Sequence, residues 1–341
     1  MKIALHTSSD CFEELKEEWN PLLRKSTSNL IFLSWEWQHT WWKSYEAGDL
    51  WIVTLRNDDD TLIAIAPWFI QTYDSKRVLR IVGCVDVTDY VDIIAAPEHL
   101  TEVYDTLAQF LLEHNNEFDR INLCNIQEKS PSCTEFLNAL KTRGFDAKLE
   151  FQEVCPIITL PATFEDYLNQ LDKKQRHEIR RKIRKAENET DLTWYFVGEE
   201  HNFEDEINTF FHLMATSQPS KAEFLQDEKN AHFFRSILYV MRDAGWLNLS
   251  ILKMNGIPVA AYCNFDYDNH IQVYNSGLDI NQFNTLSSGI VLLSFLIEDA
   301  IKKQRSIFDF LRGNETYKYR MGAKDTVVYM LKAKVEQPVS V

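Results

Sequence analysis

No stretch of this 341-residue chain is apolar for the length of a membrane span, and the start, Met1 to Asp10, is too short and polar to hold the apolar core of a signal peptide. Positive charge is scarce. With 36 Lys and Arg against 51 Asp and Glu the formal net charge is −15, which argues against a general nucleic-acid binder, because neutralising phosphates needs a large basic excess somewhere on the surface. The cysteines, Cys11, Cys84, Cys124, Cys133, Cys155 and Cys263, lie far apart without a C-x-x-C pair, a spacing that suits reduced, buried thiols better than a disulfide framework. The histidines are scattered with no H-E-x-x-H, so no metal site is expected, and without G-x-S-x-G no nucleophile elbow of a serine hydrolase is present. What remains is a globular, cytoplasmic protein, 45% hydrophobic and long enough for two domains with real cores.

The chain repeats itself. Residues 50–56 and 61–70 read as strands joined by a polar turn at Asn57 to Asp60, and 246–253 and 257–265 read as a second hairpin turning at Asn255-Gly256, one of the strongest short-range turn signals. Later elements follow in the same order. Strand 91–95, a helix over 98–113 and strand 120–125 parallel strand 271–277, a helix over 289–303 and strand 306–310. A strand, helix and strand in one sheet imply a right-handed crossover and parallel pairing. The expected fold class is α/β: two copies of one unit, each a mixed, mostly antiparallel sheet with helices on both faces. The first domain is placed at 1–165 and the second at 166–341. The segment 166–185 that opens the second is helical by the spacing of Leu168, Leu171, Gln175, Ile179 and Ile183.

The stretch 250–323 carries the densest functional chemistry. The polar loop 281–289 supplies Ser287 or Ser288 as N-cap of the next helix and leaves backbone N–H groups, with Ser288, Gly289 and Ile290 as donors, at the helix's positive end, where a diphosphate would fit; the two serines could equally cap a core helix. Within ten residues of the following strand come Asp309, Arg312, Glu315, Tyr317 and Lys318, although Asp309 and Arg312 before Gly313 could also be a turn held by its own ion pair. Elsewhere, the basic helix 173–185 holds eight Lys or Arg against Glu178, either a solvated face or a surface for phosphate-rich substrates, an acyl carrier protein or tRNA. Trp35, Trp37, Trp41, Trp42 and Tyr45 could stack on a sugar, but Trp37, Trp41 and Tyr45 fall at helical spacing and suit a buried face.

The order of elements, Phe32 to Trp37 with Trp41 and Trp42, the basic run Arg176 to Arg184, and the motif Asp309, Phe310, Leu311, Arg312, Gly313, Glu315, Tyr317, Lys318 resemble the GNAT acyltransferases, specifically the tandem CelD-like branch, which is similar to the Fem peptidoglycan-bridge transferases. The resemblance covers nearly the whole chain. It implies two GNAT-like domains in tandem and transfer of an acyl group from acyl-CoA to an amine or hydroxyl of a small metabolite or a cell-envelope or polysaccharide precursor. The usual diphosphate loop of that family, Q/R-x-x-G-x-G/A, is replaced here by a longer Asn- and Ser-rich loop in which only Gly289 stands.

Charge decides which copy keeps the cofactor. In the first copy Glu98 and Glu102 sit in the first turn of the corresponding helix and would repel a diphosphate, whereas the second copy has no acid before Glu298. Ser287, Ser288, Gly289 and Ile290 are therefore the expected cofactor site, acyl-CoA the expected co-substrate, and the first domain is expected to lack a cofactor. Transfer from a thioester needs a base, oxyanion stabilisation and often an acid for the leaving thiolate. Asp309 is the first candidate for base or acceptor anchor, Glu315 the second, and Tyr317 the acid. Arg312 and Lys318 could bind a carboxylate or phosphate, and Tyr274 and Asn275 could line the acceptor side. Two other readings stand beside this one: a Fem-like aminoacyl-tRNA-dependent transferase that uses the basic helix, and a non-catalytic binding protein on the same fold.

Overall fold

The structure is a computed structural model that describes residues 1–84 and 87–335. The chain forms two compact units, Met1–Val154 together with the C-terminal segment from Thr326, and Cys155–Asp325. The sequence divides the chain once, at 165/166. The units divide at 154/155 and again at 325/326, because the last strand takes its β-partner from the first unit.

In the first unit, β1 (Lys2–His6) precedes α1 (Cys11–Lys25) and α2 (Trp35–Tyr45), and β2 (Asp49–Arg56), β3 (Leu62–Tyr73) and β4 (Lys76–Ile81) follow as an antiparallel meander, with β1 on the outer side of β2. β5 (Ile94–Ala95) is short, and after α3 (Leu100–Glu113) the strand β6 (Arg120–Gln127) pairs parallel with β4 through Val78↔Arg120 and Leu79↔Ile121. The expected strand 91–95 thus shrinks to two residues paired with β3. The counterpart of the later strand is β4, where Lys76, Arg77 and Arg80 interrupt the apolar pattern that marks a strand. α4 (Glu135–Thr142) and the part of β7 (Phe145–Thr159) up to Val154 complete the unit's run of the chain before the C-terminal segment.

The aromatic cluster is core. Ser34 caps α2 by accepting the Trp37 N–H at 3.2 Å, and Trp37 and Trp41 are fully buried, the Trp37 indole donating to Thr88 Oγ1 at 3.0 Å. Cys84 and Cys124 form a disulfide, which overturns the expectation of reduced thiols for that pair; Cys11, Cys133, Cys155 and Cys263 are free and buried. Spacing could not reveal the pair, since 40 residues separate partners that the fold places side by side.

In the second unit α5 (Phe164–Gln170) and α6 (Lys173–Glu189) replace the single expected helix. Asp172 breaks it by leaving the helical conformation and accepting the Gln175 N–H at 2.9 Å, a side-chain cap that starts α6 afresh. The edge strand β8 (Leu192–Phe196) is followed by three helices, α7 (Phe203–Ser217), α8 (Pro219–Gln226) and α9 (Glu228–Asp243), and then by the hairpin β9 (Leu247–Met254) and β10 (Ile257–Tyr267). The hairpin turns at Asn255 and Gly256, both with positive φ, as its Asn-Gly sequence requires. β11 (His270–Leu278) pairs with β10, α10 (Ser288–Lys302) crosses over, and β12 (Ile307–Asp309) returns parallel to β11, as the crossover rule demands. α11 (Thr316–Arg320) leads into β13 (Lys324–Val335), whose residues Val328 to Ala333 pair with β6.

α10, α5 and α6 share one apolar cluster with the sheet, into which Tyr167, Leu168, Ile179, Ala186, Leu292 and Phe308 are buried. α7 packs on β11 at Gly277, where an added Cβ would meet the Met214 backbone nitrogen at 2.4 Å; only glycine allows that approach. Among the described residues no helix is long and apolar enough to cross a membrane.

Buried Asp92 in the first unit accepts from the hydroxyls of Ser28 at 2.6 Å and of Ser130 and Ser132 at 2.5 Å, and from the Ile93 N–H at 2.8 Å. Asp92→Ala strands four donors, three of them buried, and should lower stability by about 3 kcal/mol in urea titration. An unchanged unfolding midpoint would show that the hydroxyls find other acceptors.

Candidate active site

The site is built where β11 outruns β12. The parallel ladder runs His270↔Ile307, Ile271↔Phe308, Gln272↔Asp309 and stops, while β11 continues to Leu278. β11 also carries a bulge: its register with β10 steps from Val273↔Asn264 to Asn275↔Cys263, so Tyr274 is the extra residue. Beyond the bulge, Ser276 and Leu278 line a cavity of about 360 Å³ that lies wholly within the second unit. Its other walls are the start of α10, with Ser287, Ser288, Gly289 and Ile290, the helices α7 and α8 with Ser217, Gln218 and Lys221, and the rings of Tyr262 and Tyr317.

The start of α10 is unusual. Ser287 occupies the N-cap position with left-handed backbone, φ 54° and ψ 47°, and its side chain makes no capping hydrogen bond, contrary to the capping role expected of it. Its carbonyl instead accepts from the N–H groups of Ile290 at 2.9 Å and Val291 at 3.1 Å, so Ile290 drops out as a free amide donor and contributes only wall. The N–H groups of Ser288 and Gly289 have no acceptor among the described residues and sit at the positive end of a 15-residue helix. Tyr262, fully buried, donates its hydroxyl to the Gly289 carbonyl at 3.3 Å and ties this turn to β10.

Tyr317 on α11 stands edge-on to Phe310, with ring centroids 5.9 Å apart, and burial, with the charge of Glu315 as a lesser cause, pushes its hydroxyl well above the ordinary phenol range. It stays protonated and can donate. Lys221 was invisible to sequence reasoning: it is one lysine in a polar run with no motif, and its partner is 55 residues away. Its ammonium donates to the Ser276 carbonyl at 2.6 Å and approaches the Ser276 hydroxyl at 3.5 Å, and burial lowers its pKa to about 8, against an opposing pull from Glu315.

Five of the residues singled out in the sequence, Ser287, Ser288, Gly289, Ile290 and Tyr317, therefore meet in one cavity. The others lie outside its walls. Asp309 is buried at the end of β12, with Oδ1 accepting the Leu311 N–H at 2.7 Å, so a turn forms here with Leu311 in left-handed backbone at φ 56°. Lys318, also buried, spends its ammonium on the carbonyls of Leu311, Arg312 and Gly313 at 3.3, 2.8 and 3.0 Å and on Glu315 Oε2 at 2.9 Å. Glu315 is thereby engaged as well, and Arg312 is half-buried in the same loop. Tyr274 packs between Phe234 of α9 and Phe265 of β10, and Asn275 accepts the Ser276 N–H at 2.8 Å. The 309–318 motif is thus mostly a loop clamp that delivers Tyr317.

Lys318→Met should remove that clamp and cost about 2–4 kcal/mol of stability, since hydrogen bonds to a buried charged group are the strong ones. Thermal melts check this; normal stability with lost turnover would instead put the ammonium on substrate.

Comparison with known proteins agrees with this geometry. Residues 173–319 match the acetyltransferase (GNAT) domain family. No curated protein matches the sequence. Among solved structures, that of FemX superposes with a TM-score of 0.67 at 11% identity, covering 97% of each chain. L-PGS from Bacillus licheniformis gives 0.56 at 10% identity over 99% of this chain and 96% of that one. A tandem GNAT protein from the clavulanic acid biosynthesis pathway gives 0.50 at 9% identity over 99% of both chains. At these identities the likeness is one of fold. Residues 173–319, which match the GNAT acetyltransferase domain family, contain every residue that lines the cavity, and the chain has the fold of the tandem GNAT proteins.

Proposed function

We propose that the protein transfers an acyl group from acyl-CoA to an amine or hydroxyl of a small metabolite or a cell-envelope or polysaccharide precursor, as a member of the CelD-like branch, with the donor held by the second unit. The observation that carries this reading is the start of α10: two unclaimed backbone N–H groups, no acid in the first turn, and an adjoining cavity with a protonated tyrosine. A diphosphate suits the amides, and the mainly apolar cavity suits a pantetheine-like arm. The corresponding helix start in the first unit suits a diphosphate less well, because Glu98 precedes α3 and Glu102 lies in its first turn.

In this reading the acceptor's lone pair attacks the thioester carbonyl, the tetrahedral oxyanion collapses, and the carbon–sulfur bond breaks. Tyr317 gives its proton to the departing thiolate. Neither Asp309 nor Glu315 lines the cavity, so the acceptor gives up its proton to solvent water, which returns one to Tyr317 after the thiol departs.

An aminoacyl-tRNA donor is the second reading, favoured by the basic face of α6. Much of that face is already engaged within the protein: Arg176 with Asn169, Arg180 with Glu165, Arg181 with Glu178, and Lys185 with the Thr285 carbonyl. These exposed pairs lower the charge the face presents without removing it. Charge reversal across Arg180 to Lys185 would abolish tRNA-dependent transfer and spare acyl-CoA turnover.

Thermal-shift and mass-spectrometric screening with acetyl-CoA and longer acyl-CoAs should find one thioester retained by the pure protein, and retention of none would overturn the reading. Tyr317→Phe should lower kcat by about 10- to 100-fold while acetyl-CoA affinity stays within about twofold, given the usual contribution of a general acid. Equal losses in affinity and kcat would make Tyr317 a wall of the cavity.

A further inference from the structure

We propose that Lys221 is the specificity-determining cation of the cavity and that the substrate places a carboxylate or phosphate against its ammonium. The inference rests on the acyl-transfer reading only for calling the ligand a substrate. Lys221 is half-buried on the cavity wall, and an ion partly withdrawn from water gains from a counter-charge. Among the described residues Lys221 has no carboxylate within 4.0 Å; its recorded partners are the carbonyl and hydroxyl of Ser276.

The acids nearby are spoken for. Glu315 is ion-paired with Lys318 at 2.9 Å. Asp279 accepts the N–H groups of Asn281 and Gln282 at 2.8 and 3.2 Å and the Gln282 amide at 3.0 Å. The other titratable groups facing the cavity are Tyr262 and Tyr317, both held protonated by burial. The cavity therefore offers a cation, two helix-start N–H groups and a tyrosine hydroxyl, with no uncommitted acid, which is the complement of an anion. α8 holds the ammonium in place: Gly277 lets α7 lie close against β11, and α8 follows α7 directly. A lysine that merely tied α8 to β11 would need only the Ser276 carbonyl, and its loss would leave anion binding and its pH dependence unchanged.

Two anions fit this chemistry, a phosphate of the donor and an acidic group of the acceptor. Calorimetric titration of the full chain separates them, using wild type, Lys221→Met and Lys221→Arg with inorganic pyrophosphate, acetyl-CoA, and glutarate on the acetyl-CoA-loaded protein at matched ionic strength. The expected result is at least tenfold weaker binding of one anion class in Lys221→Met, with Lys221→Arg close to wild type. Loss of pyrophosphate and acetyl-CoA affinity assigns the anion to the donor; loss of glutarate affinity alone assigns it to the acceptor.

Wild-type affinity should fall as pH rises from 7 to 9, through the lysine's pKa of about 8, while the arginine variant, charged throughout, keeps its affinity. Equal anion binding by wild type and Lys221→Met, no anion binding by wild type, or pH-independent wild-type affinity would each overturn the proposal. Lys221-dependent pyrophosphate binding without acetyl-CoA binding would sustain it and sink the acyl-CoA reading instead.

Discussion

The candidate site depends on the early end of one parallel ladder. β12 pairs with β11 for three residues and then turns away at Asp309, whose carboxylate fixes the left-handed Leu311 by accepting its N–H. β11 runs on to Leu278, and the room gained along its free length is filled by the start of α10, by Tyr317 and by Lys221. Two parallel strands can separate in this way only where another group closes each exposed backbone edge or a ligand enters, since buried backbone polar groups go unpaired at a cost of about 1–3 kcal/mol each.

Around that opening the protein has sorted its polar groups into two kinds. Asp309, Glu315 and Lys318 are occupied with one another's loop, and their hydrogen bonds hold 309–318 in shape. Tyr317, Lys221 and the N–H groups of Ser288 and Gly289 face the cavity and keep donors available. A cavity with donors in surplus suits anions and atoms that gain negative charge during reaction, and in the proposed reaction a thioester's oxyanion and its leaving thiolate would be of that kind.

The two units build one architecture with different helix starts. Both fold as a meander followed by a crossover helix and a parallel strand, β2–β3–β4 with α3 and β6 in the first, β9–β10–β11 with α10 and β12 in the second. Glutamates at the opening of α3 satisfy that helix's dipole, and the interior around it is closed with tryptophans and the buried Asp92 cluster. The second unit leaves its helix start bare.

Much of this was legible in the sequence because it is written locally. The Asn-Gly turn, the apolar alternation of β9, β10 and β11, the periodicity of α10 and the lack of acids at its start each reside within a few consecutive residues, and periodicity is fixed by backbone geometry alone. Asp172 breaking α5 from α6 was equally local and was overridden in the reading by a continuous apolar stripe. Tertiary structure alone decided the rest. It paired Cys84 with Cys124, gave β13 to the first unit, turned Asp309 and Lys318 inward to their own loop, and brought Lys221 across 55 residues to Ser276. Such contacts follow from how helices stack on a sheet, and a side chain's chemistry says what it can bind but not which way the fold will point it.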